Sequence, residues 1–188
     1  MLTPVILASA SPRRQALLSY ILEQFDIVPA DIDETSLKDE SPRDLVERLA
    51  KTKAQVVLQQ FPEKLIIGSD TVVARDETAL GKPVNEADFM QMMSFLSNAW
   101  HHVFTGICVC TMSHTYTGVV VTRVKMSNIS EQDAIKYWRT DEPKDKAGGY
   151  AIQGIGGQFV EKIDGSFSAV VGLPLCETKQ LLLKVSAI

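Results

Sequence analysis

The segment Leu7-Ala8-Ser9-Ala10-Ser11-Pro12-Arg13-Arg14 marks the point where a short apolar strand gives way to a helix. Residues 4–8 predict a buried strand, and the apolar side chains within residues 15–25 recur at helical spacing. Ser11 is a suitable N-cap, and Pro12 fits the first helical position because its missing N–H needs no partner there. The sequence therefore predicts a strand, a sharp turn and a helix that reaches residue 25.

Two arginines, Arg13 and Arg14, fall in the first turn of this predicted helix. Because a helix begins with about half a positive charge, each arginine there costs a few tenths of a kcal/mol unless an anion compensates. Free backbone N–H groups, the hydroxyls of Ser9 and Ser11 and two guanidinium groups together favour a polyanion site, above all for phosphates. The alternative is a basic helix start whose arginines point to water.

The composition limits the class of protein. A chain of 188 residues with 45% hydrophobic content can bury a substantial core, and we predict one domain over residues 1–188, with room for two small lobes. A net charge of -4 and a pI of about 5.4 argue against a nucleic-acid partner or a membrane-surface partner. The apolar N-terminal run is too short for a signal peptide, so we expect a cytoplasmic protein. Cys108 and Cys110 alternate with apolar residues and predict reduced thiols in a core.

A lysine faces inward on the second predicted helix. Ser41 and Pro42 give this helix a strong start, and it runs to about Gln60. At 100° per residue, Lys53 lies on the apolar stripe, while Lys51 points the opposite way. The Lys53 ammonium therefore either extends to the edge of the core or meets a fixed negative partner.

An aspartate interrupts the most strand-like segment, residues 65–73. Asp70 lies in its second half, although aspartate is depleted in strands and is rarely buried without a partner. A catalytic or metal-binding carboxylate explains this better than a polar anchor for a neighbouring loop. Earlier in the chain, an acidic loop follows a predicted strand at residues 26–30, and Glu34 is its best candidate to face the arginines.

The later chain is predicted to contain a turn at residues 79–83 that projects Lys82, then a helix that runs to about Ser97. Two long strands, residues 101–111 and 115–126, predict a hairpin, and another helix begins after Ser130. Adjacent His101 and His102 would point to opposite faces and are interpreted as structural. The predicted core of the helix before Ser97 is Met90, Met93, Phe95 and Leu96, and a last helix covers residues 175–185.

Glycines are concentrated between Gly148 and Gly172, which indicates unusual backbone angles or close approach to a ligand. Their spacing does not match the GxGxxG dinucleotide fingerprint. Within this region, Gln153 offers an amide donor and an acceptor, which complement the adjacent carbonyl and N–H of uracil or thymine.

Four blocks of the chain resemble the Maf family of nucleoside triphosphate pyrophosphatases, and the match covers nearly its whole length in order. They are Leu-Ala-Ser-Ala-Ser-Pro-Arg-Arg at 7–14, Ser-Asp-Thr-Val-Val at 69–73, Gly-Lys-Pro at 81–83 and Asp-Lys-Ala-Gly-Gly-Tyr-Ala-Ile-Gln-Gly at 145–154. The stretch Gly-Ser-Phe-Ser-Ala-Val-Val-Gly-Leu-Pro-Leu at 165–175 extends the match. Gln153 and the intact block from Asp145 resemble the branch that acts on dTTP and UTP.

The resemblance implies an α/β fold similar to inosine triphosphate pyrophosphatase, with an elongated mixed twisted sheet flanked by helices and two lobes with a central cleft. It further implies a homodimer that uses a divalent metal, Mg²⁺ or Mn²⁺, to hydrolyse the α–β bond of a nucleoside triphosphate. Asp70 would be the proton acceptor, and Arg13, Thr71 and Gln153 would set substrate choice. Ser9, Arg14, Glu34, Lys53 and Lys82 correspond to other active-site residues.

Hard cations prefer oxygen ligands, so Glu34, Asp70 and Asp145 are the metal candidates. A competing hypothesis is a nucleotide-binding regulator of cell division, a septum formation inhibitor, that binds triphosphates without significant hydrolysis. Asp70 beside a set of cations favours the enzyme, because a pure binder gains nothing from a carboxylate near phosphates. Hydrolysis of modified pyrimidine nucleotides would preserve every motif and stays open.

Overall fold

A computed structural model describes residues 4–76 and 78–185. Its helices and strands alternate along the chain in the manner of an α/β protein. The strands are β1 (Val5–Leu7), β2 (Asp26–Ile27), β3 (Leu65–Arg75), β4 (Thr78–Leu80), β5 (Trp100–Cys110), β6 (Thr115–Met126) and β7 (Val160–Asp164). The helices are α1 (Pro12–Leu18), α2 (Pro42–Gln60), α3 (Glu86–Leu96), α4 (Glu131–Trp138), α5 (Phe167–Val171) and α6 (Leu175–Lys184).

Within the described residues, seven strands form one mixed sheet in the order β2-β1-β3-β5-β6-β7, with β4 paired to β3. The strand β1 is parallel to both β2 and β3, whereas β4 is antiparallel to β3 and β7 is antiparallel to β6. The predicted fold class, a mixed sheet flanked by helices, is confirmed. No helix in the described part of the chain is long and apolar enough to cross a membrane.

The described residues fall into two compact units. Of the described residues, the first unit comprises 4–70, 105–120 and 172–185, and the second comprises 71–76, 78–104 and 121–171. The core of the first unit joins β1 and β3 to α2 and includes the buried, free thiols of Cys108 and Cys110. Both cysteines are fully buried, as predicted.

The second unit has its own core, in which α3 packs against α4 and against the glycine-rich segment. Phe89 and Tyr137 lie at its centre and are almost completely buried. His101 is also buried here and bonds to the Tyr150 hydroxyl through Nε2 at 2.7 Å, while His102 is exposed. The two histidines point to opposite faces, as the alternation predicts.

The helix α2 lies directly on β3 and β5 at two glycines. A Cβ atom built at Gly68 would stand 2.2 Å from the Ala50 carbonyl oxygen, and one at Gly106 would stand 2.1 Å from the Val46 carbonyl oxygen. These distances leave no space for a side chain at either strand position. This close approach fixes the height of α2 above the sheet and with it the reach of Lys53, which lies on the same helix.

The first helix and second strand are shorter than predicted. The helix α1 begins at Pro12 under a Ser11 N-cap, as expected, but it ends at Leu18 rather than at residue 25. The chain continues in hydrogen-bonded turns because it must reverse to place Asp26 beside Ile6. The strand β2 stops before Pro29, which has no N–H to donate to a sheet.

Two further predictions were wrong in detail. The fully buried face of α3 consists of Phe89, Met92, Met93 and Leu96, whereas the predicted Met90 and Phe95 are half-buried and pack against the edge of this core. The four buried residues follow the i, i+3, i+4, i+7 spacing of one helix face. Residues 79–80 belong to β4 rather than to a turn, and Lys82 follows in an exposed loop.

Candidate active site

The first unit places the start of α1 at the end of β1, where two serines organise the backbone. The Ser11 hydroxyl accepts from the Arg14 N–H at 3.5 Å, and the Ser9 hydroxyl oxygen lies 3.2 Å from the Ser11 nitrogen that donates to it. Ser9 is buried and also accepts from Nη1 of Arg14 at 3.2 Å. Arg13 is half-buried on the same turn. The predicted serine–arginine cluster is therefore present.

The carbonyl oxygen of Gly172 orients this cluster. It accepts from Nε of Arg14 at 2.9 Å and lies 3.0 Å from the buried hydroxyl of Ser69, which also donates to the Gly106 carbonyl at 2.8 Å. This contact is not predicted by the sequence, although Gly172 and Ser69 both lie in the blocks that carry the family resemblance. A backbone carbonyl gives no residue-type signal, so only the fold reveals it.

Lys53 bridges two carboxylates in the first unit. Its Nζ lies 2.7 Å from Oδ1 of Asp70 and 2.7 Å from Oε1 of Glu34. The side chains of Lys53 and Asp70 are only 8% and 11% exposed, whereas that of Glu34 is 56% exposed. Of the two possibilities for Lys53, the structure shows the second: its ammonium meets a fixed negative partner, Asp70 on β3. Asp70 and Glu34, predicted separately from a strand and a loop, are brought to the same cation.

Burial and charge act on Asp70 in opposite directions. Desolvation raises the pKa of the Asp70 carboxyl above its usual value, while the positive charges of Lys53 and then Arg14 oppose that rise. Burial likewise lowers the pKa of Arg14, and the Asp70 charge opposes that change. The guanidinium still carries its proton, since arginine is not deprotonated in proteins. The site therefore holds a buried acid between the buried Lys53 and the half-buried Arg14, an arrangement that is typical of catalytic groups.

The two carboxylates on Lys53 also provide a fit for a hard metal ion. Asp70 and Glu34 present oxygen atoms to the same small region, where an ammonium now stands as a cation between them. Mg²⁺ is commonly bound through one or two carboxylates together with phosphate oxygens of the substrate. Among residues 4–76 and 78–185, no group of three or more His, Cys, Asp and Glu side chains is placed to hold a metal.

The other predicted residues lie in the second unit. Thr71 follows Asp70 in β3 and is half-buried, and Lys82 is exposed after β4. The Gly148 N–H donates to the Gly81 carbonyl at 2.9 Å, which ties the loop of Lys82 to the glycine-rich segment. On that segment Gln153 is exposed, and the Asp145 carboxylate pairs with the neighbouring Lys146.

The fold resembles that of a solved protein. A HAM1 protein from Coxiella burnetii aligns with a TM-score of 0.53 and 15% identity over 98% of this chain and 100% of that chain. At that identity the likeness shows a shared fold: this is an α/β protein of the HAM1-like fold.

The chain belongs to the Maf-like protein family, whose model matches residues 4–185. It is 47% identical over 183 residues to the dTTP/UTP pyrophosphatase of Pseudoalteromonas translucida, covering 97% of each chain. It is 45% identical over 184 residues to the dTTP/UTP pyrophosphatase of Vibrio cholerae, covering 97% of this chain and 98% of the relative.

Proposed function

We propose that this protein hydrolyses the α–β phosphoanhydride bond of dTTP and UTP and releases the nucleoside monophosphate and pyrophosphate. The observation that carries the proposal is Asp70, a buried carboxylate held by Lys53 at 2.7 Å within the field of Arg14. The names of the two relatives support the same activity. A protein that only bound triphosphates would gain nothing from a carboxylate near phosphates, so the arrangement favours hydrolysis over a regulatory binding role.

The arginine and lysine side chains would neutralise the negative charge of the triphosphate. A triphosphate carries about four negative charges, and pyrophosphate gains charge as the α–β bond breaks. Arg14 is oriented by Ser9 and Gly172, so its guanidinium meets that charge without first reorganising. We assign Arg13, Arg14, Lys53 and Lys82 to phosphate binding and to stabilisation of the leaving group.

Asp70 is the group suited to accept a proton. The oxygen of a water molecule attacks the α phosphorus, the bond to the bridging oxygen of the β phosphate breaks, and Asp70 takes the proton that the water loses. Burial raises the pKa of Asp70 and makes its carboxylate a stronger base than an exposed one. The ammonium of Lys53, 2.7 Å from Oδ1 of Asp70, opposes this rise in the pKa.

We further propose that the enzyme requires Mg²⁺ or Mn²⁺. Glu34 and Asp70 would hold the ion together with phosphate oxygens, and Asp145 is a third candidate ligand from the second unit. The bound ion would supply charge neutralisation on the phosphates. Removing divalent ions with EDTA tests this requirement, and activity must return on adding Mg²⁺ or Mn²⁺ alone.

A nucleotide panel tests the central proposal. The protein is incubated with dTTP, UTP, CTP, ATP, GTP and modified pyrimidine triphosphates in Mg²⁺ or Mn²⁺, and the products are separated. Pyrophosphate with a monophosphate is the expected outcome for dTTP and UTP. Orthophosphate as the sole released phosphate would identify a phosphatase and overturn the proposal.

Lys53→Met should move the acid limb of the pH profile of kcat/KM to higher pH by about one unit or more, because a nearby opposite charge shifts a carboxyl pKa by roughly that amount. The pKa of Asp70 is already raised by burial, and Lys53 is the first group that opposes the rise. Since Asp70 acts when deprotonated, a higher pKa moves the loss of activity to higher pH. Lys51→Met, on the exposed face of α2, is the matched control and should leave the limb in place.

Gln153→Ala should reduce the preference for uracil over cytosine by about tenfold, the value of roughly one well-placed hydrogen bond in a desolvated site. The Gln153 amide can donate to a pyrimidine carbonyl and accept from the adjacent N–H, and cytosine lacks that N–H. The measurement is the ratio of kcat/KM for UTP to that for CTP. An unchanged ratio would remove Gln153 from substrate selection, and Arg13 and Thr71 would remain as the proposed determinants.

We also propose a homodimer that functions in the cytoplasm. The buried, free thiols of Cys108 and Cys110 support a reducing compartment. Light scattering on the purified protein tests the dimer, for which a mass of two chains is expected.

A further inference from the structure

The carboxylate of Glu142 holds the segment that carries Gln153. Its Oε2 accepts from the Ile155 N–H at 2.9 Å, and its Oε1 accepts from the Gly156 N–H at 2.9 Å. The hydroxyl of Tyr137 donates to the same Oε1 at 2.7 Å. One side chain thus satisfies two consecutive backbone donors, which lie two and three residues after Gln153. Such charge-assisted bonds are about twice as strong as neutral ones.

Tyr137 extends this contact to the other side of Gln153. Its hydroxyl oxygen accepts from the Ala151 N–H at 3.1 Å while its proton goes to Glu142. The ring is 1% exposed and packs against Phe89 and Phe159 in the core of the second unit. Gln153 therefore stands between two backbone segments that are bonded to the same Tyr137–Glu142 pair, and Tyr137 is packed in the core of the second unit.

At Gly154, next to Gln153, the carboxylate of Glu142 comes close to the backbone. A Cβ atom there would lie 2.2 Å from Oε2 of Glu142. A side chain at this position would push the carboxylate away from the backbone donors that it holds. Gly154 therefore leaves room for the carboxylate beside the exposed Gln153.

We propose that Glu142, acting with Tyr137, is a positioning residue for pyrimidine recognition and holds Gln153 in the geometry that distinguishes uracil and thymine from cytosine. The inference rests on the proposed function and deepens it, since it concerns how the same site selects its base. Glu142 contacts the backbone around Gln153 and is not among the residues assigned above to phosphate or metal binding.

The negative charge of Glu142 is part of this role. Burial by itself would raise the pKa of Glu142, but the bonds from Gly156, Tyr137 and Ile155 outweigh burial and lower its pKa. The carboxylate is therefore ionised at neutral pH and accepts through both oxygens. A glutamine at this position retains one acceptor and turns an amide N–H₂ toward a backbone donor, so Glu142→Gln breaks one contact while it preserves size.

The test measures selectivity and backbone protection in the same variants. Glu142→Gln is expected to lower kcat/KM for UTP about tenfold, chiefly through KM, and to reduce the UTP to CTP ratio toward that of Gln153→Ala. Tyr137→Phe keeps the packed ring and should change the ratio in the same direction. In Glu142→Gln, hydrogen exchange at the amides of Ile155 and Gly156 should accelerate. Glu161→Gln, an exposed carboxylate on β7, is the control and should alter neither quantity.

A double-mutant cycle separates positioning from general structural damage. If Glu142 acts through Gln153, the variant with Glu142→Gln and Gln153→Ala should show the same UTP to CTP ratio as Gln153→Ala alone. Equal losses for UTP and CTP in Glu142→Gln, or an unchanged ratio in both folded Glu142→Gln and Tyr137→Phe, would overturn the inference. If Gln153→Ala leaves the UTP to CTP ratio unchanged, the proposed role of Gln153 in pyrimidine recognition is wrong. If Gln153→Ala changes the ratio but Glu142→Gln does not, only the positioning role of Glu142 is wrong.

Discussion

Asp70→Asn should lower kcat for pyrophosphate release from UTP by about a thousandfold, within the range that general base catalysis contributes. Asparagine keeps the size of the side chain and a carbonyl oxygen for Lys53, but its amide cannot take a proton from water. KM should change less than kcat, because the cations that bind phosphate remain. Steady-state assays with UTP and a pyrophosphate readout give both constants.

The control for this variant is Asp164→Asn. Asp164 is an exposed residue on β7, and its carboxylate pairs with Arg123 on β6. It should retain parental activity, and both variants should show parental circular dichroism. An Asp70→Asn enzyme that turns over UTP at nearly the parental rate would exclude Asp70 as the proton acceptor. A variant that loses its fold would be replaced by Asp70→Glu, which retains the charge but displaces the carboxylate.

Gly106→Ala should destabilise the protein by about 3 kcal/mol, at the upper end of the usual cost of forcing extra atoms into a packed interior. The new methyl group would meet the Val46 carbonyl oxygen at 2.1 Å and its carbonyl carbon at 2.5 Å. Both atoms belong to the backbone of α2 and cannot move aside as a flexible side chain would. Urea denaturation measures the free energy of unfolding, and a melting temperature about 6–12 °C lower is expected for a chain of this size.

Gly118→Ala is a matched control because Gly118 also lies in a strand of the first unit. A Cβ atom there meets only the side chain of Ile107, at an ordinary 3.7 Å. We expect a change in unfolding free energy within about 0.5 kcal/mol. Equal stability of the two variants would mean that α2 can lift from β5 without cost, and the close approach would not fix the position of Lys53.

Local signals in the sequence were sufficient where a single residue type has one physical role. Serine followed by proline predicted the starts of α1 and α2, and both serines cap their helices. Helical periodicity placed Lys53 inward, and the strand pattern placed Asp70 within β3. These inferences succeeded because each depends on geometry that a few neighbouring residues determine.

Contacts through the backbone could not be predicted in this way. The contacts of the Gly172 carbonyl and of the N–H groups that bond to Glu142 involve the backbone. Because nearly every residue type has these backbone groups, composition and spacing do not reveal such contacts. The same is true of the approach of α2 to Gly106, which requires two distant segments to be packed first. The end of α1 at Leu18 likewise follows from pairing between β1 and β2 and not from the apolar spacing that continues beyond it.

The Gly172 carbonyl has a consequence for the order of events during synthesis on the ribosome. It orients Arg14 and contacts Ser69, yet it is translated long after both. The nascent chain can pair β1 with β3 early, but the guanidinium obtains its acceptor only when the C-terminal part of the first unit has emerged. The guanidinium of Arg14 should therefore reach its final orientation only after the segment that contains Gly172 has been synthesised and has packed against it.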